Sequence, residues 1–177
     1  MDKAEVGAII KSFNHLENKN WHLAEMLLPR VKNPLVKKYL FWKILINTNK
    51  NRHLPEIVKF LDQNKNWPQR ERLKKTAEGI MGLNSSFQDA KFWFSNYDPI
   101  TAVANGLFAR VLLETGQLDK AQSLIQKSWI TGNFTKINER AFYKKFRQYL
   151  TYDDHIERLD RLLWDGNYWP SRRMLPK

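Results

Sequence analysis

Gly116-Gln117-Leu118-Asp119-Lys120-Ala121-Gln122-Ser123-Leu124-Ile125 reads as a turn followed by the opening of an amphipathic helix. A glycine closes one segment, and a large apolar residue opens the next two positions later. A small residue follows after three more, and a large apolar pair after a further three. Spacings of three and four place Leu118, Ala121, Leu124 and Ile125 on one helical face. The same order recurs as Asn20-Trp21-x-x-Ala24-x-x-Leu27-Leu28, His53-Leu54-x-x-Ile57-x-x-Phe60-Leu61, Ser86-Phe87-x-x-Ala90-x-x-Trp93-Phe94 and Asn167-Tyr168-x-x-Ser171-x-x-Met174-Leu175. The small or β-branched positions are Ala24, Ile57, Ala90, Ala121 and Ser171, separated by 33, 33, 31 and 50 residues.

A period near 33 residues is the size of one helix-turn-helix unit that buries its apolar face against its neighbours. The small residue marks where an adjacent helix approaches closely, and the large ones fill the space beside it. Gly116-x-Leu118-x-x-Ala121 and Gly166-x-Tyr168-x-x-Ser171 resemble the turn of a tetratricopeptide repeat (TPR) in a degenerate form. The expected fold is all-α: a single helical-repeat domain over 1–177, a right-handed α-superhelix of TPR-like hairpins with about 11 helices.

Helix signals divide the chain in the same way. Asn33-Pro34, Trp67-Pro68 and Asp98-Pro99 put proline at a first helical position, where its missing N–H costs nothing. Ser86-x-x-Asp89 and Thr151-x-x-Asp154 resemble capping boxes. The pattern predicts helices over 3–17, 20–31, 34–48, 54–64, 68–81, 86–95, 99–115, 117–130, 134–149, 152–164 and 167–175. The long last interval leaves room for the extra helix at 134–149. Three buried stripes are expected. One is Ile100, Val103, Ala104, Leu107, Val111 and Leu112; another is Phe134, Ile137, Ala141, Phe142, Phe146 and Tyr149. The third is Ile156, Leu159, Leu162 and Leu163, with Asp154–Arg158 and Glu157–Arg161 as i,i+4 pairs on the opposite side.

Composition excludes several classes. Hydrophobic residues make up 42% of the chain, too many for a disordered segment. No apolar run is long enough to span a membrane; the best, Leu40 to Ile46, contains Lys43. Asp2, Lys3 and Glu5 precede only a few apolar residues, which is not a signal-peptide pattern. The chain therefore reads as cytosolic or as a mature sequence whose export signal has been removed. Without cysteine there is no disulfide and no thiolate metal site. The net charge of +12 attracts polyanions, such as nucleic acid, anionic lipid or wall polymers carrying carboxylates and phosphates. The cations are dispersed, with local groups at Lys65, Arg70, Arg72, Lys74 and Lys75, and at Lys136, Arg140, Lys144, Lys145 and Arg147. The stretch from Asp153 to Asp165 is locally acidic.

No catalytic pattern stands out. The nine Glu and nine Asp fall mostly on polar helix faces, where nothing would raise a carboxyl for general-acid work. His15, His22, His53 and His155 form no His-Glu-x-x-His pattern and share no i,i+4 spacing. Asp153-Asp154-His155-x-Glu157 reads as a helix start rather than a metal cluster, since neighbouring helical residues point apart. There is no phosphate loop, no Gly-x-Ser-x-Gly and no cysteine nucleophile, so no cofactor is expected. Of the seven Trp, Trp21 and Trp93 occupy large-residue slots of the repeat, and most are expected in the core, with one or two lining a groove. Trp164 is expected to pack with Leu159 and Leu163 against the final helix near Tyr168 and Met174.

Three stretches carry a family resemblance. The first runs from Phe60 through Trp67 and Pro68 to Arg72-Leu73 and Ala77-Glu78. The second is Leu112 to Ala121, with Trp129 and Glu139-Arg140-Ala141-Phe142. The third and most specific contains Leu150 to His155, then Arg158-Leu159-Asp160-Arg161-Leu162-Leu163-Trp164-Asp165-Gly166, and ends at Arg172-Arg173-Met174-Leu175-Pro176. Together they resemble the N-terminal helical region of soluble lytic murein transglycosylases of the alphaproteobacterial type, over nearly the whole chain. That resemblance implies a periplasmic α-superhelix followed by a C-terminal lysozyme-like domain that cleaves peptidoglycan to 1,6-anhydromuramic ends. The catalytic Glu of such a domain is typically followed by Ser. None of the nine Glu here precedes Ser, so this chain alone is expected to be no enzyme. The expected partners are the missing catalytic domain, peptidoglycan and proteins, with nucleic acid ranked behind them. Two other readings stay open at this point: an independent TPR-like adaptor for a peptide or protein, and RNA binding by a helical repeat.

Overall fold

The computed structural model describes residues 2–50 and 53–175. Pro176, at the end of the third stretch, lies outside the described residues. Among them are eleven α-helices and no strand: α1 Lys3–Glu17, α2 Trp21–Leu27, α3 Pro34–Leu45, α4 Leu54–Gln63, α5 Arg70–Met81, α6 Phe87–Phe94, α7 Ala102–Glu114, α8 Leu118–Thr131, α9 Lys136–Phe146, α10 Tyr152–Trp164 and α11 Tyr168–Met174. The chain is all-helical. Short 3-10 turns extend α2 and α9 at Leu28–Arg30 and Arg147–Tyr149. The chain divides into two compact units, residues 1–80 and 81–177.

The starts of two helices differ from the proline reading. Asn33 does cap α3, accepting from the Leu35 and Val36 N–H groups with Pro34 at N1. Pro68 instead lies in a turn ahead of α5, where Gln69 has φ +55°. Pro99 also lies outside its helix, because the Thr101 side chain accepts from the Ala104 N–H and opens α7 there. A side-chain acceptor at N-cap satisfies an orphan N–H, which proline at N1 does not, and that bond fixes the start.

All five repeat positions are buried: Ala24, Ile57, Ala90 and Ala121 at 0% exposure and Ser171 at 4%. The turn before them is reproduced atom for atom in three hairpins. In α7–α8 the Gln117 N–H bonds Leu112 O and the Gly116 N–H bonds Leu113 O. In α10–α11 the Asn167 and Gly166 N–H groups bond Leu162 O and Leu163 O, and in α1–α2 those of Asn20 and Lys19 bond His15 O and Leu16 O. The residue five before the small position has φ +79° at Gly116, +67° at Gly166 and +57° at Lys19. This is a Schellman-type helix end, whose left-handed residue is normally glycine. Lys19 occupies it with a Cβ, at a steric cost glycine avoids. Lys19→Gly is therefore expected to raise stability by about 0.5–1 kcal/mol, the relief exceeding the added entropy of the unfolded glycine. A higher urea midpoint with an unchanged slope is the expected result.

In residues 1–80, Ala24, Leu28, Val31, Leu40 and Ile44 form the core, with Ile9, Leu16, Val36 and Phe41 packed against it. Buried Glu5 ties α1 to α3 by accepting from the Lys32 N–H (2.8 Å) and the Asn33 N–H (2.7 Å). In residues 81–177, the core is Leu83, Ala109, Ile125, Trp129, Phe134, Phe142 and Phe146. On α7, Ala104, Leu107, Val111 and Leu112 are buried as the stripe requires and Val103 is half-buried; Ile100, also half-buried, lies ahead of the helix. Two expected members of the α9 stripe are not buried: Ile137 is 79% exposed and Ala141 is exposed too. The inward line is Glu139, Phe142 and Phe146, at i, i+3 and i+7, so a carboxylate occupies one place of the buried face.

Candidate functional site

The chemistry of the chain concentrates where α10 crosses the C-terminal end of α8. The last carbonyls of α8 have no intrahelical partner and carry the negative end of the helix dipole. Two arginines of α10, one turn apart, supply the donors. Arg158 Nη1 donates to Trp129 O and to Gly132 O (3.0 Å), and its Nη2 to Glu139 Oε2 (3.1 Å). Arg161 donates from Nε to Ile130 O and from Nη2 to Gly132 O, both 3.0 Å, and from Nη1 to Asn133 Oδ1 (2.7 Å) and Asp165 Oδ2 (3.0 Å). The Arg158 guanidinium also lies 4.3 Å over the Trp129 ring and 5.2 Å from that of Phe134. Gly132 stands at the crossing because a Cβ there would run into Ser128 O and lie 2.6 Å from the Ala102 Cβ.

Glu139 completes the arrangement from α9. Arg173 of α11 grips it in a two-pronged pair, Nε to Oε1 at 2.9 Å and Nη2 to Oε2 at 2.8 Å. Burial pushes the Glu139 carboxyl up, but Arg173 first and Arg158 second outweigh it and hold it below its usual range. The same pair holds Arg173 protonated still more firmly. A group kept ionised in this way satisfies charge; proton donation would need the opposite shift. Next to it, Trp129 Nε1 donates to His155 Nδ1 (3.0 Å), so that nitrogen carries no proton. Burial, and secondarily Arg158, lower the His155 pKa against the pull of Asp154.

The site residues of the resemblance therefore divide. His155, Arg158 and Arg161 converge on α8, with Leu159 half-buried beside them. Asp160 is exposed, and Gly166 makes the hairpin turn. Asp154 forms the capping box with Thr151 and accepts from Gln126 Nε2 (3.1 Å), so Asp153, Asp154, His155 and Glu157 do not converge on a metal. Trp67, in residues 1–80, is half-buried and meets Phe60 edge-on at 5.5 Å and Trp42 at 6.1 Å. In the same unit Arg70 Nη1 donates to Leu61 O and Asn64 O, a third arginine placed on a helix C-terminus. An open depression nearby is lined by Asp62, Gln63, Asn64, Lys65, Asn66 and Trp67.

The orientation of α10 corrects the sequence reading. Asp154, Arg158 and Leu162 are its buried line, whereas Ile156 and Leu163 are 43% and 59% exposed. The pairs Asp154–Arg158 and Glu157–Arg161 do not form: Arg158 pairs with Glu139, and Arg161 with Asp165. Hydrophobic periodicity favours the Ile156–Leu163 face. The orphan carbonyls of α8 and buried Glu139 favour the arginine face, because leaving such groups buried without donors is costly. One signal was present in the sequence: Glu139 falls in register with Phe142 and Phe146, and an acid inside an apolar stripe calls for a buried cation.

Trp164 is corrected as well. It is 89% exposed and does not pack against the final helix, while Tyr168 and Trp169 are 58% and 69% exposed. Three of the seven tryptophans, Trp42, Trp93 and Trp129, are buried, whereas Trp21 and Trp67 are half-buried, so the core holds fewer than the expected majority. Trp164→Ala is expected to leave stability within about 0.5 kcal/mol of the parent, the usual result at an exposed position. Thermal unfolding of both proteins side by side checks it.

Compared with known proteins, the chain matches no family model, no curated protein and no solved structure. Among the described residues, no helix is long and apolar enough to cross a membrane.

Proposed function

We propose that this chain is the non-catalytic helical scaffold of a periplasmic peptidoglycan lytic transglycosylase, holding a lysozyme-like catalytic domain on glycan strands. The observation that carries this reading is the fate of its most specific stretch, Leu150 to Gly166. Apart from the Arg161–Asp165 pair at its own C-terminus, the polar contacts that His155, Arg158 and Arg161 make there tie α10 to α8, to the turn after it and to α9. Such a motif serves the frame and leaves the chemistry to another domain.

The contact pattern supports the repeat part of the reading. Side-chain hydrogen bonds between helices recur at about one repeat of separation: 27 residues for Glu5–Lys32, 28 for Glu25–His53, 30 for Ile46–Thr76, 27 for Leu83–Arg110, 28 for Gln126–Asp154 and 31 for Ile130–Arg161. Within each compact unit, helices tied mainly to their sequence neighbours fit the hairpin packing of TPR-like repeats. The alternative, an independent adaptor, would use the same frame to bind a peptide or protein.

Incubation of the pure chain with purified sacculi tests the proposal. Retention on the sacculi with no release of 1,6-anhydromuropeptides is expected. Release of those products would refute the non-catalytic role, and failure to be retained would refute the murein role in favour of the adaptor.

A further inference from the structure

Helix α9 has two sides of opposite chemistry. Its one acid, Glu139, is turned inward and held by Arg158 and Arg173. Its outward side carries Lys136, Arg140 and Lys144, continued by Arg147 in the following 3-10 turn. Spacings of four, four and three return all four to one face. All four are exposed, and their side chains form no ion pair among the described residues. Adjacent members repel, since like charges one turn apart disfavour a helix. Neighbouring Lys145 does not join them, because its ammonium is turned back to Leu83 O at 3.4 Å.

The four cations form a ridge of about 16 Å at the usual helical rise. A ridge with no enclosing wall suits an extended polymer that brings several negative charges, not a small anion. Its exposed neighbours are Ile137, Ala141 and Gln148, with Tyr143 alone offering a ring. Single-stranded nucleic acid is held by a row of aromatic platforms between the cations, and this face has none. It reads charge and not bases. Two of the four are arginines, whose forks match carboxylates.

We propose that this α9 ridge seats the carboxylates of peptidoglycan peptide stems, with Lys136, Arg140, Lys144 and Arg147 as the contacts. The proposal rests on the murein reading above and gives that reading its binding surface.

The experiment is co-sedimentation of the full chain with purified sacculi at low salt, for three proteins. They are the parent, the ridge variant K136E/R140E/K144E/R147E, and a control, K11E/K37E/K59E/K65E, which reverses four exposed lysines of residues 1–80 and changes the net charge equally. The ridge variant should bind at least about tenfold more weakly, and the control within about threefold of the parent, since local field and not net charge is the source of attraction. Sacculi whose stem carboxyls have been converted to amides should no longer retain the parent. If charge reversal unfolds the ridge variant, K136Q/R140Q/K144Q/R147Q takes its place, with the same expected loss. Equal binding by ridge variant and parent overturns the ridge while leaving the murein reading intact. Equal losses in ridge variant and control overturn it in favour of net charge. Undiminished retention on amidated sacculi overturns the carboxylate partner. An oligonucleotide that displaces the parent at lower charge concentration than polyglutamate overturns it in favour of nucleic acid. Absence of parent binding overturns both readings.

Discussion

Arg158→Ala is expected to lower unfolding free energy by about 3–5 kcal/mol, the usual loss when one partner of a buried charge network is removed. Arg158 is 1% exposed and fully enclosed by what it satisfies. Its removal strips Trp129 O and Gly132 O of a donor and takes one of two guanidiniums from Glu139. It also removes the guanidinium that packs on the Trp129 and Phe134 rings. Arg158→Met keeps most of the stem volume and should recover the packing but not the donors. Arg158→Lys keeps a charge but cannot spread donors over three acceptors, so it should recover only part of the loss. Urea unfolding of the three variants separates these contributions. An Arg158→Ala protein as stable as its parent would refute the clamp.

The second large effect is expected at Trp129. The residue is 3% exposed. Its ring lies nearly parallel to Phe142 at 6.0 Å and 16°, and meets His155 edge-on at 5.6 Å and 90°. Trp129→Ala should cost about 3–5 kcal/mol through lost burial and the cavity left behind, a large share of the ~5–15 kcal/mol typical of a domain. Trp129→Phe should cost less, forfeiting mainly the indole bond to His155. The contrast with Trp164→Ala is the useful measurement, because the two tryptophans differ in burial and not in type.

The same cluster gives stability a pH dependence of defined sign. His155 has a folded pKa below its ordinary value of 6.5, so the unfolded chain binds more protons and stability is lost as pH falls below 6.5 through the folded value. Glu139 has a folded pKa below its ordinary 4.5. Its contribution is fully present above 4.5 and is lost as pH falls further, through the folded value. Acid unfolding should therefore begin with the histidine and steepen with the carboxylate. In Glu139→Gln the lower step should shrink.

How much of this was legible differs by feature. The repeat was read from spacing alone, and all five of its small positions are buried. The turn glycines at 116 and 166 were visible as letters. The third member of that set was not, because Lys19 gives no sign of a left-handed backbone until the hairpin is built. The α7 stripe was legible because its buried residues are apolar. The α10 stripe was misread because its buried residues include Asp154 and Arg158, which polarity assigns to solvent. Arg158 and Arg161 have the spacing of surface partners of nearby acids, and Arg161 does pair with Asp165, but their other acceptors lie 19 to 31 positions away, on α8, α9 and the turn between them.

The sequence by itself determined the class of the protein and the number and placement of its helices, because helix formation follows from periodicity and from caps written within a few residues. It also determined where neighbouring helices approach, because only small side chains permit close contact. The tertiary structure alone decided which face of α10 turns inward, since that depends on the orphan carbonyls of α8 and the buried charge of Glu139, groups that no local pattern connects. It alone placed Trp164 in solvent and Trp129 in the core, and left Lys136, Arg140, Lys144 and Arg147 aligned with no ion pair among the described residues. Those outcomes follow from which surfaces remain once the helices have packed, and that is a property of the assembled units.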